Sequence, residues 1–183
     1  SGVVSILAVC SMAVSWHRFI LRDEIGSRLR LDGNVMRYAG NTILIMLVMV
    51  IPSLFLAVAV LHTPVAVAIA LPSFVLLGGV ITRLSVKLPA VALGNRNVSF
   101  RDAWAASQGS FWPCVGVFLL NSAIILVGFL LLVMIGGALD QVNSALGQFV
   151  ATAGSIVLQL FYAFFNASVL TSLYGFFVER RDF

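Results

Sequence analysis

Apolar runs without charge divide the chain. The first, Val3 to Trp16, is 14 residues long. The second extends from Ile43 to Thr82 with no charged side chain and is interrupted midway by His62-Thr63-Pro64. That break predicts two helices joined by a tight turn, Ile43–Leu61 and Val65–Thr82. A further run goes from Pro113 to about Leu139, where Gly136-Gly137 precedes Asp140, and the last goes from Gly147 to Val178. A helix needs roughly 20 apolar residues to cross a hydrocarbon core of about 30 Å. The pattern therefore predicts an all-α polytopic transmembrane helical bundle in one transmembrane domain. Its five spans fall at about 1–17, 43–61, 65–82, 113–139 and 147–178. The first run reaches the numbered start without a Met, so it reads as the end of a span that begins in a missing N-terminal segment. It does not read as a signal peptide, because its positive charges follow the apolar stretch. The last run, about 48 Å long as a helix, should tilt, bend near Gly154 or project from the bilayer.

Composition strengthens this reading. The chain of 183 residues is 61% hydrophobic and 10% charged, against about 25% charged in a soluble domain, and its mean hydropathy is +1.07. Too little polar surface exists to cover it in water, which excludes a soluble enzyme or a nucleic-acid-binding domain. The two cysteines exclude a disulfide framework and a Cys-rich metal site.

The net charge of +4 acquires meaning from its placement. Arg18, Arg22, Arg28, Arg30 and Arg37 lie in the first connection; Arg83, Lys87, Arg96 and Arg101 lie in the third; Arg180 and Arg181 follow the last span. Together they are all 11 Lys and Arg residues of the chain. The alternate connections, His62–Pro64 and about Asp140–Leu146, contain none. The positive-inside rule then predicts a cytoplasmic C-terminus and cytoplasmic first and third connections. Trp16, Tyr38, Trp104 and Trp112 fall at the same boundaries, where amphipathic rings favour the headgroup region.

Within the third connection, Ser99 with Asp102 three residues on predicts a capped helix that stops near Gly109. Phe100, Ala103, Trp104 and Ser107 share one face of it, so a short interfacial helix between the third and fourth spans is expected. Trp16, Arg18, Arg83, Lys87, Arg96, Arg101, Trp104 and Trp112 are the candidates for contact with interfacial, anionic lipid.

Inside the spans, Pro52-Ser53 and Pro72-Ser73 sit at similar depth on either side of the turn. Each Pro removes a backbone donor, and each Ser is expected to bond to its own helix backbone. Kinks that let the hairpin bend around its neighbours are the preferred reading of the pair; matched interruptions also mark transport sites in some membrane proteins, with Asn121, Gln159 and Asn166 as candidate polar lining. The alternative is that the amides bond between helices. Small residues recur every fourth position in the last span: Gly147, Ala151, Ser155, then Ala163, Ala167, Thr171 and Gly175, with Gln159 interrupting. The row predicts close helix packing, and its drift of about 40° per step directs its two halves at different neighbours. Val169 and Leu170 lie off the row.

Chemistry is sparse. No Asp, Glu, Lys or Arg lies centrally in a span, although coupled transport usually places one there. His17 and His62 are predicted on opposite sides and read as interfacial side chains, not as joint metal ligands. Cys10 and Cys114 read as buried small hydrophobes. No catalytic set can be assembled on one side, and no cofactor is expected.

Two stretches carry a resemblance. One is Trp16-His17-Arg18-Phe19-Ile20-Leu21-Arg22-Asp23-Glu24. The other is Arg83-Leu84-Ser85-Val86-Lys87-Leu88-Pro89-Ala90-Val91-Ala92-Leu93-Gly94, with Ser99-Phe100-Arg101-Asp102-Ala103-Trp104 and Gly109-Ser110-Phe111-Trp112 after it. Together they resemble a group of uncharacterised bacterial (proteobacterial) inner-membrane proteins with a WHR-type loop and an LPA…AW…G..W cytoplasmic connection. The resemblance implies a bacterial inner-membrane protein with one further N-terminal segment, and it implies no activity.

The sequence thus points to an interaction or assembly component that packs against other membrane proteins, or against itself, and against anionic lipids. The rival is a small-solute or lipid transporter with a site near the paired prolines. A membrane enzyme whose catalytic residues lie in the missing segment ranks third.

Overall fold

Backbone polar groups surrounded by apolar side chains and lipid must bond within their own segment, and helices accomplish this. The computed structural model describes residues 2–24, 32–63, 65–95 and 97–180. Among them are seven helices and no strand: α1 (Gly2–Arg22), α2 (Gly33–His62), α3 (Val65–Ser85), α4 (Lys87–Ala92), α5 (Phe100–Ala106), α6 (Phe111–Val142) and α7 (Ser144–Phe177). Arg28, Arg30, Pro64, Arg96 and Arg181 lie outside the described residues. Four segments, Gly33–His62, Val65–Ala92, Phe111–Val142 and Ser144–Phe177, are long and apolar enough to cross a membrane. The chain has the architecture of a multi-pass membrane protein. The α1 helix covers the first predicted span.

Local chemistry sets the helix ends. Asp32 caps α2 by accepting from Val35 N at 3.1 Å, so α2 starts well before its apolar stretch. Pro89 explains the break between α3 and α4. It has no N–H to offer the Ser85 carbonyl, and its ring is tolerated only within the first turn of a new helix. At the far end of α4, Gly94 adopts φ +76°. There Gly94 N donates to Val91 O at 3.0 Å and Asn95 N to Ala90 O at 2.9 Å, a Schellman stop that favours glycine.

The connection between α6 and α7 is much shorter than the expected Asp140–Leu146 loop. Asn143 alone separates the helices, and its Oδ1 accepts from Ala145 N at 3.0 Å and Leu146 N at 3.2 Å. Both helices therefore extend beyond their apolar centres, with 32 and 34 residues. Gly147 makes the sharp reversal possible, because a Cβ there would stand 2.6 Å from Asp140 N and Cα. Gly154 lies within the uninterrupted α7 and admits the Leu132 side chain. Gly147→Ala is expected to destabilise the hairpin by about 1–3 kcal/mol, since the obstacle is backbone. Gly137→Ala, with open space around it, should be neutral or stabilising by helix propensity. Thermal unfolding in detergent compares them, and equal behaviour would contradict the close approach.

The chain divides into two compact units, one of residues 1–119 and 167–183 and the other of residues 120–166. The core of the first unit joins Cys10 and Val14 of α1, Val35 and Tyr38 of α2, Leu88 and Ala92 of α4, and Leu170 of α7. A second cluster holds Val86, Ala90, Ala103 and Tyr174. Both lie at the end of the helices that carries the basic residues. The apolar stretches themselves are bare: in their most apolar 18-residue windows only 6%, 17%, 0% and 17% of residues are buried, in chain order. In the same unit, Gly78 and Gly79 of α3 receive Phe118 and Val115 of α6 at close approach, so this glycine pair serves packing.

Candidate functional site

Three consecutive residues on α1 organise the first unit. Successive side chains on a helix point about 100° apart, so Trp16, His17 and Arg18 reach three different neighbours. Trp16 Nε1 donates to Ser168 Oγ of α7 at 3.0 Å. His17 is completely buried, with Nδ1 2.7 Å from Thr171 Oγ1 and Nε2 3.2 Å from Tyr38 Oη. Arg18 Nε donates to Ala92 O at 2.9 Å, satisfying a terminal carbonyl of α4. Its Nη2 lies 3.5 Å from the Asp32 carboxylate that caps α2.

The proton positions follow by elimination. The single hydroxyl proton of Thr171 is given to Ala167 O at 2.8 Å, so Thr171 Oγ1 can only accept from His17 Nδ1–H. A neutral imidazole then leaves Nε2 as an acceptor for the Tyr38 hydroxyl. The result is a directed chain, Tyr38 to His17 to Thr171 to the α7 backbone, that ties α2, α1 and α7 together.

A second tie involves Arg83 at the end of α3. Its side chain is 6% exposed, and it donates from Nε to Ser107 Oγ at 2.9 Å and from Nη2 to Trp104 O at 2.7 Å. Its guanidinium also lies 3.7 Å from the centre of the Trp104 ring. Ser107 passes its own proton to Ala103 O at 2.9 Å. This arrangement fastens α5 to α3. The helix itself starts at the expected capping box: Asp102 N donates to Ser99 Oγ, and Ser99 N donates to Asp102 Oδ2 at 2.8 Å. The bonds from Ser99 hold the exposed Asp102 carboxyl below its ordinary value. That contribution to α5 is complete above the ordinary carboxylate range and fades as pH falls through the lowered value.

Beside α2 and α4 lies a polar cavity of about 220 Å³, lined among others by Arg37, Asn41, Lys87, Asn95 and Ser99. The Lys87 ammonium sits 3.8 Å from the centre of the Phe100 ring. A larger cavity of about 410 Å³ in the second unit is apolar, with Phe129, Leu132, Val133 and Ala151 in its wall.

No protein-family model, curated protein or solved structure matches this chain. The geometry alone carries the functional argument.

Several residues sit where the sequence did not put them. His17 and Tyr38 are core residues and not headgroup side chains, and Arg18 and Arg83 direct their guanidinium groups into helix ends. Among the aromatic candidates, Trp112 is 70% exposed and Trp104 is 41% exposed, whereas Trp16 is partly buried against α7. Arg101 is exposed, and Arg96 lies outside the described residues. Cys10 and Cys114 are buried.

Gly147 and Ala151 face Asp140 and Gly136 of α6, and Ser155 and Ala163 are partly buried. Ala167, Thr171 and Gly175 are buried in the first unit. Leu170, which reads as lying off the row, is buried too, because α7 is enclosed on more than one face there.

Pro52 and Pro72 are exposed and line neither of the two cavities. Ser53 Oγ is buried without a hydrogen-bond partner, not bonded to its own backbone as expected, and Ser73 is partly buried. Asn121 Nδ2 reaches Tyr162 Oη at 3.4 Å across the second unit, while its Oδ1 has no partner. Gln159 is exposed and Asn166 partly buried. Sequence reasoning missed Tyr38 and Ser107 as bonding partners and Gly78-Gly79 as a contact. For the last, the signal was present, since two adjacent glycines in an apolar helix carry a propensity cost that calls for a packing reason.

Proposed function

We propose that the chain is a non-enzymatic interaction or assembly component of a bacterial inner membrane, with α1 as a fifth span. Its basic end and C-terminus face the cytoplasm, and it uses no cofactor. One observation carries the reading: in the most apolar windows of the four long helices no more than 17% of the residues are buried by the chain. In a bilayer such surfaces contact lipid or the helices of other proteins. His17, Tyr38 and Arg83 are occupied in tying helices together. The partners in this reading are other membrane proteins, or further copies of the chain, together with anionic lipid. The resemblance of the WHR and LPA stretches to proteobacterial inner-membrane proteins agrees with it. The transporter reading has less support, because Pro52 and Pro72 are exposed and line neither described cavity.

Purification of the native complex in mild detergent tests the function. A stoichiometric membrane-protein partner or a defined oligomer is expected; a lone monomer that supports solute flux in vesicles would overturn the proposal. Topology has its own test, with Cys10 and Cys114 replaced by Ala. Gln141→Cys should label in intact cells with an impermeant maleimide, and Gln108→Cys only after permeabilisation. The reverse pattern would invert the orientation.

A further inference from the structure

We infer that the polar cavity beside α2 and α4 binds the phosphate of an anionic phospholipid whose acyl chains lie along the exposed face of α2. The inference rests on the membrane orientation proposed above and gives its lipid contact a specific site. At about 220 Å³ the cavity falls below the range of about 300–1,000 Å³ usual for whole small-molecule ligands, so it suits a headgroup fragment.

Its chemistry is that of an anion site. Arg37 and Lys87 supply two cations, and among the described residues neither is ion-paired to a carboxylate. Asn41 Nδ2 gives one proton to Arg37 O at 2.7 Å and retains a second. Asn95 Oδ1 accepts from Asn97 N at 3.0 Å, which leaves its amide nitrogen to donate. Ser99 is not a donor here, because its hydroxyl proton goes to Asp102 Oδ2 at 2.6 Å. The Asp102 carboxylate is thus the acid beside the lining. It opposes an anion, but it is engaged by both Ser99 donors. Arginine paired with amide donors matches the two non-bridging oxygens of a phosphodiester.

The neighbouring surface selects a lipid over free phosphate. Arg37, Asn41, Leu44, Val48, Ile51 and Phe55 follow spacings of four and three along α2 and so share one face. The last four are 54%, 40%, 51% and 73% exposed. From Leu44 to Phe55 the helix rises about 16 Å, close to the half-thickness of a hydrocarbon core of about 30 Å. Polar cavity and apolar strip are therefore in register with the headgroup and the chains of one leaflet.

The test uses the full chain in detergent with equimolar phosphatidylglycerol and phosphatidylcholine of matched chains, with retained lipid read by native mass spectrometry. The parent should retain phosphatidylglycerol preferentially. Arg37→Gln should reduce that preference about fivefold and Arg37→Gln with Lys87→Gln about thirtyfold, as expected for one and two basic side chains near the membrane surface. Arg37→Lys should restore part of it, and Arg22→Gln with Arg180→Gln, both remote from the cavity lining, should leave it unchanged. Absence of preference in the parent, or equal loss in the second pair, would overturn the site. Displacement of phosphatidylglycerol by excess inorganic phosphate, with no dependence on acyl chains, would overturn the lipid assignment. Loss of the preference in a protein that still carries its stoichiometric partner would remove this site and leave the assembly reading in place.

Discussion

His17→Ala should lower the unfolding free energy by about 3 kcal/mol, through a cavity and two polar groups deprived of their partner. The imidazole is fully buried and accounts for the contacts of α1 with both Tyr38 and Thr171. Its removal leaves the Tyr38 hydroxyl without that acceptor. Tyr38→Phe removes only one bond of the chain and should cost about 1 kcal/mol, typical of interhelical bonds in membranes. His17→Phe fills the space but still strands Tyr38 and Thr171, so it should fall between the two. Thermal unfolding in detergent, followed by circular dichroism, ranks the variants. If His17→Ala unfolds with the parent, the directed hydrogen-bond chain does not hold the helices together.

Arg83→Ala should cost a similar amount, about 3 kcal/mol, but its effect should be local. The guanidinium makes two charge-assisted hydrogen bonds to α5 and covers the Trp104 ring, and such bonds are worth about 1.5–3 kcal/mol each before losses elsewhere. The variant should release α5 while leaving the hydrogen bonds of His17 in place. With Trp16 and Trp112 replaced by Phe, Trp104 fluorescence should shift to the red and the segment 99–110 should become sensitive to protease. Arg83→Lys keeps the charge, yet one ammonium cannot reach Ser107 Oγ and Trp104 O while covering the ring. It should therefore recover only part of the loss. An unchanged emission spectrum in Arg83→Ala would show that α5 is held by other contacts.

The difference between these residues and their sequence reading has a physical source. Hydropathy found the apolar helices because their length is set by the bilayer and their periodicity by the backbone. The capping box at Ser99 was equally legible, being a local pairing of two side chains three residues apart. Arg83 and Tyr38 were read as headgroup contacts because charge and aromatic rules specify depth along the membrane normal but not direction around the helix. Whether Arg83 turns outward or toward Trp104 depends on where α5 docks, a tertiary fact. His17 is a sharper case, since its partners lie 21 and 154 residues away. The Asn143 connection was missed because the neighbouring polar residues, Asp140 to Ser144, resemble a loop in composition while remaining mostly helical.

The separation between His17 and Thr171 has a consequence for biosynthesis. Chains emerge and fold from the N-terminus, and the acceptor for His17 Nδ1 is on α7, which emerges after the other six described helices. Throughout translation of the intervening segments, α1 carries an imidazole whose native partner does not yet exist. A product truncated before α7 would never acquire that partner and would keep an orphaned polar group in its core. The bond from His17 to Thr171 can form only in chains that extend through α7.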